Sequence, residues 1–237
     1  MSKSIIHTAN SRGTTTNGWL HSRHTFSFGD YYDPERLHFG ELRVINDDML
    51  APGKGLGMHP HSNMEIITIP LEGDLEYKDD MNQGAVIRKG EIQVMSAGSG
   101  IFHSESNFNR DKSVQYLQLW VVPKVQKVKP RYQQAGYASD PDKLTLILAP
   151  EPQPGCVWIY QDAWFYSGRA GKDAVLNYQL KNADKNGIYV FVIKGDIELE
   201  GQLLHQRDGC GMWEVNEVTI KSLNESEFLL IEVPLKI

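Results

Sequence analysis

His59-Pro60-His61 and His103-Ser104-Glu105 are the residues of this chain whose types and spacing point to chemistry. Three imidazoles and one carboxylate can hold a divalent transition metal while leaving coordination positions open, and open positions let a metal do chemistry. The set suits Fe(II), Mn(II), Co(II), Ni(II), Cu(II) or Zn(II) rather than Ca or Mg, which prefer oxygen shells. Residues two apart on a strand point to one face, so His59 and His61 project inward while Pro60 faces away, and the same spacing aligns His103 with Glu105. Two such pairs on neighbouring strands of a small barrel converge on one interior point.

The rest of the chain supplies such strands. Short runs rich in Val, Ile, Leu and aromatic residues recur at Glu65 to Leu71, Ala85 to Lys89, Ile92 to Met95 and Val114 to Val122, with no competing helical stripe. Turn residues separate them at Glu72-Gly73-Asp74, Met81-Asn82-Gln83-Gly84, Lys89-Gly90 and Ala97-Gly98-Ser99-Gly100. The Lys- and Pro-rich segment Val122 to Pro130 reads as a linker, after which the strand pattern resumes near Leu144.

The sequence then echoes itself. Leu71-Glu72-Gly73-Asp74-Leu75-Glu76 returns as Ile193-Lys194-Gly195-Asp196-Ile197-Glu198, an offset of 122 (195 minus 73), and Gly90 returns as Gly209, an offset of 119 (209 minus 90). A third echo aligns the strands ending at Pro123 and Pro234. The expectation is an all-β chain of two tandem β-barrels, residues 1–130 with the metal site and residues 131–237 without one. Shifted by these offsets, the four ligand positions fall on Lys181, Ala183, Ser222 and Asn224, which cannot reproduce the site. His205, the one histidine of the second unit, reads as a solvated loop side chain.

Composition narrows the function. The chain has 237 residues, a net charge of -6 and a pI near 5.7, which disfavours direct binding of nucleic acid. The first residues lack the apolar run of a signal peptide, and no stretch approaches the ~20 apolar residues of a membrane span, so a cytoplasmic protein is expected. Cys156 and Cys210 fit neither a disulfide framework nor a zinc spacing and read as buried thiols.

A wider frame surrounds the histidines. Gly53, His59, His61, Glu65 and Gly73, followed by Gly90, Gly98, His103 and Asn107, resemble the two-part cupin signature. Two departures, Ser96 in place of a proline and a longer spacing from Gly98 to His103, are those of the pirin family. Gly18-Trp19-Leu20, His24-Thr25-Phe26-Ser27-Phe28, Tyr31-Tyr32-Asp33-Pro34, Leu42 to Asp48, Glu91 to Gly98 and Leu117-Gln118-Leu119-Trp120-Val121 also resemble pirins. The specific motifs cover roughly the first 130 residues, with a looser match beyond.

The resemblance implies a bicupin, two packed double-stranded β-helix domains with the second metal-free. Spacing alone leaves Glu65 and Glu105 as rival fourth ligands; the resemblance favours Glu105, with Glu65 making a local hydrogen bond or salt bridge. It further implies one divalent metal, Fe(II) placed first, in a monomer that opens the flavonol ring of quercetin or a related polyphenol with O2 and releases carbon monoxide, Glu105 or a water beside it taking the hydroxyl proton. The alternative is a non-enzymatic, iron-dependent, redox-responsive regulator that binds protein partners. A third is a cupin isomerase or hydrolase using Zn as a Lewis acid.

Around the site, Phe26, Phe28, Tyr31 and Tyr32 read as core, with an apolar mouth for a flat polyphenol as the other reading. Arg43, Asn46, Asp47 and Asp48 read as turn and salt-bridge residues at a strand end, and Lys124, Lys127, Lys129 and Arg131 as a solvated linker.

Overall fold

The expected strands form at Glu65–Glu72, Gly84–Arg88, Glu91–Ser96 and Val114–Val121, where β-branched and aromatic residues suit a pleated, half-buried surface. The computed structural model describes residues 2–235, and among these the only helical element is a 3-10 turn at Ala9–Ser11. Gly73 and Gly195 close equivalent hairpins at φ of +73° and +78°, a region glycine enters freely.

Two seven-stranded sheets organise the molecule. The first runs Arg131–Gly136, Glu91–Ser96, Glu65–Glu72, Val114–Val121, Leu42–Leu50, Leu20–His24 and Gly13–Thr16. The second runs Lys3–His7, Gly209–Trp213, Asn186–Lys194, Ser226–Pro234, Trp164–Ala170, Lys143–Ala149 and Val157–Trp158. They match in order except at the last strand, antiparallel in the first sheet and parallel in the second, and two four-stranded sheets match likewise: Gly55–His61, Ile101–Asn107, Asp74–Asp79, Gly84–Arg88 and Val175–Gln179, Glu217–Ser222, Ile197–Leu199, Gln202–Leu204. The echoes in the sequence are thus a duplicated barrel, each barrel a large sheet closed by a small one.

Each large sheet is completed at one edge by a strand from the other half of the chain. Arg131–Gly136 pairs with Glu91–Ser96 in the first, and the N-terminal Lys3–His7 pairs with Gly209–Trp213 in the second. The exchange covers two sheet edges that would otherwise present unpaired backbone groups.

Three apolar clusters follow. One fills the first barrel with Leu50, Ile66, Leu75, Tyr77 and Tyr116. Another fills the second with Leu176, Val190, Val218, Ile220 and Leu230. The third joins the large sheets back to back through Ile67, Leu117 and Leu119 against Phe165, Leu229 and Ile231. Each such side chain taken from water contributes about 1.5–3 kcal/mol, so the two barrels are held as one body.

Strand register, rather than a fixed offset, fixes the counterparts of the candidate metal-site residues. Asn107 faces Leu75 as Ser222 faces Ile197, which sets Val218 and Ile220 in the places of His103 and Glu105. Tyr178 faces Val218 as His59 faces His103. The positions reached by shifting the sequence, Lys181, Ala183, Ser222 and Asn224, are out of register with these pairings because connections between corresponding strands differ in length in the two halves. Tyr178 donates its hydroxyl to Glu232 at 2.6 Å, and the same carboxylate receives Lys181 N, Asn182 N and Asn186 Nδ2 at 2.6–3.0 Å.

The segment Val122 to Pro130 is a pinned strap rather than a free linker. Val122 N donates to Glu41 O, Lys127 N to Asn63 Oδ1 and Ser99 N to Val128 O, at 2.7–2.9 Å. Gly98, at φ +50°, leaves room for it, since a Cβ there would lie 2.1 Å from Val128 O. Lys124 pairs with Asp162. Arg131 is not solvated: its guanidinium lies 3.9 Å from the Trp158 ring centroid and donates to Trp158 O at 2.7 Å.

Candidate metal centre

Alternation along Ile101–Asn107 turns Ile101, His103, Glu105 and Asn107 into the first barrel. The neighbouring strand Gly55–His61 pairs His59 with His103 and His61 with Ile101. Its register slips between Leu56 and His59, a bulge of the kind that re-aims side chains. Gly55 permits the approach: a Cβ there would lie 2.4–2.5 Å from Glu105 O and Ser106 Cα.

The result is a cluster of His59, His61 and His103 whose candidate ligand atoms all lie within 4.8 Å of one another. Ring centroids are 4.4–5.0 Å apart. His59 Nδ1 lies 2.7 Å from Gly57 O. A carbonyl can only accept, so Nδ1 carries a proton and Nε2 is the nitrogen left to face the cluster. Both ring nitrogens of His103 are buried with no hydrogen-bond partner. Interiors rarely leave such atoms unpaired, and a cation bound by the cluster satisfies one of them.

Electrostatics favour the ligating form. Burial, with His59 beside it, pushes His61 down to about 4, and burial with His59 and His61 pushes His103 down to about 3. Neutral imidazoles are what a metal requires. Three converging imidazoles fit a divalent transition metal, and the donor set excludes a calcium-type site.

Glu105 stands outside the group drawn together within 4.8 Å but shares the barrel interior, 1% exposed. Gln118 Nε2 donates to its Oε2 at 2.6 Å and Thr68 Oγ1 to its Oε1 at 3.3 Å. Burial pushes its carboxyl up to about 7 despite these donors. A cation at the histidines would draw it back towards the charged form. Glu65, the rival carboxylate, points elsewhere: it accepts from Ser96 Oγ at 2.6 Å and faces Arg131, the local hydrogen bond expected of it. Asn107 is structural, its amide donating to Leu50 O, Ala51 O and Lys112 O at 2.8–3.1 Å.

The four aromatic candidates divide. Phe26 is core at 1% exposure, whereas Tyr32 is 72% exposed. Phe28 packs edge-on against Trp120 (centroids 5.3 Å, 84°), and Trp120 packs edge-on against His61 (4.9 Å, 83°). His24 lies 5.3 Å from Phe28, with Tyr31 beyond at 6.4 Å. Asn46, Asp47 and Asp48 are not at a strand end; they lie buried inside Leu42–Leu50, because this strand is central in the large sheet and both its faces are covered. Asn46 bonds His24, Asp47 pairs with Arg12 and Arg207, and Asp48 accepts from Ser22. Arg43 donates to Ser27 O and Leu37 O at 2.7–2.9 Å.

Gln118 and Trp120 join the site from Val114–Val121, where they stood only as part of a resemblance. Alternation sets Tyr116, Gln118 and Trp120 on the barrel face and Leu117 and Leu119 on the other. A glutamine facing inward between two aromatics was the available signal.

Two duplicated β-barrels, one carrying a three-histidine cluster suited to a divalent transition metal, define a bicupin metalloprotein. The Pirin family model matches residues 6–121, and the quercetinase C-terminal cupin domain model matches residues 146–233. A protein of Escherichia coli K12 named quercetin 2,3-dioxygenase is 38% identical over 226 residues, covering 95% of this chain and 96% of its own. The crystal structure of Escherichia coli YhhW superposes with a TM-score of 0.95 at 36% identity, covering 99% of both chains. A structure of bacterial pirin YhhW in complex with nickel(II) gives 0.94 at 36% identity, covering 99% of this chain and 100% of that one. The chain belongs to the pirin family.

Among the described residues no helix is long and apolar enough to cross a membrane.

Proposed function

We propose that the chain is a metal-dependent dioxygenase that opens the flavonol ring of quercetin or a related polyphenol with O2 and releases carbon monoxide. His59, His61, His103 and Glu105 hold the ion in this reading. Its strongest support is the pair of buried, unpartnered nitrogens on His103 at the centre of the histidine cluster. The name of the relative from Escherichia coli K12 supports the reaction class, and the nickel(II) complex of YhhW supports a divalent ion. Fe(II) is placed first, with Mn, Co, Ni, Cu and Zn to be compared against it.

A bound divalent ion supplies Lewis acidity, lowering the pKa of a flavonol hydroxyl so that the substrate is held as its electron-rich anion. Glu105 takes the hydroxyl proton: a cation at the histidines favours its charged, proton-accepting form, while burial favours the protonated form that follows. Gln118 and Thr68 hold the carboxylate while it does so. Phe28 and Trp120 give a flat polyphenol an aromatic wall beside His61. The first unit, residues 1–130, carries this chemistry. The second, 131–237, supports it, its barrel filled by Val218, Ile220 and the Tyr178–Glu232 pair.

The test is turnover of quercetin by protein reconstituted separately with each of the six metals, in air and without oxygen, following flavonol absorbance and carbon monoxide. Oxygen-dependent loss of flavonol with carbon monoxide release is the expected result. Absence of turnover with every metal, together with metal-dependent capture of a protein partner, would overturn the reading in favour of a regulator.

A further inference from the structure

The ends of equivalent strands from the two barrels meet around a cavity of about 570 Å³, separate from the histidine cluster. Leu71 and Glu72 of the first unit and their counterparts Ile193 and Lys194 of the second line it. Gln115, which faces Glu72, and Glu227, which faces Lys194, complete the correspondence. The volume is that of sites for small organic molecules.

Its charge runs against that of the chain. Lys89, Arg169, Lys194 and Arg207 face Glu72 and Glu227, an excess of two positive charges (four minus two) in a protein of net charge -6. Lys89, Arg169 and Lys194 form no salt bridge among the described residues.

Behind the lining residues Arg207 and Gln115 the imbalance recurs under burial. Arg12 Nη1 and Arg207 Nε lie 3.5 and 3.6 Å from the same oxygen, Asp47 Oδ2. Gln115 Nε2 donates to the other oxygen at 3.0 Å. One carboxylate therefore serves two guanidiniums, and Nη1 of Arg207, a residue that lines the cavity, is buried with no hydrogen bond. Arg207 lies in the turn before Gly209–Trp213, at a φ of +70°. A buried donor left unspent beside an excess of cations is the condition under which an oxyanion gains most.

We propose that this inter-unit cavity binds a small organic anion, a carboxylate or a phosphate ester. Its oxyanion lies against Arg169, Lys194 and Arg207, and its apolar body against Tyr137, Leu71 and Ile193. Four donor-bearing cations over two carboxylates make a monovalent ligand a weak occupant and a multivalent one a better match.

Calorimetric titration of the metal-loaded protein at low ionic strength tests this, with inorganic pyrophosphate and citrate as separate probes. Arg169 and Lys194 are exposed, so the double variant Arg169→Gln with Lys194→Gln keeps its fold and its metal. Saturable binding of one equivalent that the double variant weakens about tenfold or more, and that Glu72→Gln tightens, is expected. Binding of pyrophosphate alone assigns a phosphate ligand, and of citrate alone a carboxylate. No saturable heat from either probe, or equal affinity in parent and double variant, overturns the proposal. Metal content and quercetin turnover of the double variant stay at the parent's level, which separates this site from the one at the histidines.

Discussion

Gln118 and Glu105 are joined by a 2.6 Å hydrogen bond inside the first barrel, and Trp120 Nε1 donates to the same glutamine at 3.1 Å. The amide thus links the carboxylate beside the histidine cluster to the indole that packs on His61. Both its ends are committed, since Oε1 accepts from Trp120 while Nε2 donates to Glu105.

Gln118→Leu keeps the volume and removes the relay. Glu105 Oε2 loses its closest donor in a buried setting, a loss of about 1–3 kcal/mol. The expected outcome is a kcat/KM for flavonol turnover lowered about 10- to 100-fold, as for other groups that orient ligands, with a fall in metal affinity measured by competition with a chelating dye. Unchanged turnover and affinity would remove the relay from the mechanism.

Gly55→Ala tests the approach of the two strands that carry the three histidines. The added methyl meets Glu105 O and Ser106 at 2.4–2.5 Å, and backbone there cannot yield without moving Gly55–His61 away from Ile101–Asn107. Overpacking of this kind costs about 1–3 kcal/mol. Thermal unfolding and metal titration should both report a weaker protein; a variant with the parent's midpoint and affinity would show that the close approach at Gly55 does not shape the site.

Phe28→Ala opens the wall beyond Trp120 without touching the histidines. An aromatic pair is worth about 0.5–1.5 kcal/mol, so KM for quercetin should rise about two- to tenfold while bound metal, read by elemental analysis, stays at the parent's level. Loss of metal in this variant would mean that Phe28 shapes the ion site rather than the substrate wall.

His7 provides a pH signature far from the histidine cluster. Burial, reinforced by Arg36 and opposed by Asp33, lowers it from 6.5 to about 4, and its Nδ1 lies 2.8 Å from Tyr189 Oη. Between pH 6.5 and about 4 the unfolded chain binds this proton and the folded chain does not, so stability falls as pH falls through that window. The shift corresponds to about 3 kcal/mol. Glu65, pushed up to about 7, works in the opposite direction, so the difference between parent and His7→Asn is the informative quantity. Denaturant melts at pH 7 and pH 4 should show the parent losing more stability than the variant; parallel losses would place the titration elsewhere.

Much of this was legible in the chain. The HPH and HSE spacings name the interior-facing residues because strand alternation depends on local geometry alone, and the duplicated Gly-Asp hairpins announce two barrels. The second unit's interior was less legible: connections of unequal length in the two halves moved the register, so shifting by sequence reached Ser222 and Asn224 where the barrel holds Val218 and Ile220.

Residue types and local spacing therefore determined the strands, the repeat and the histidines, since each follows from contacts within a few residues. Tertiary structure alone decided that Gln118 reaches Glu105, that Glu65 turns to Ser96 and that Arg12 and Arg207 share Asp47. These partners are brought together by sheet closure and by the docking of two barrels, and burial then sets their charges. No local pattern encodes that distance, because the chain between the partners is free to fold into any length of connection before the sheets close.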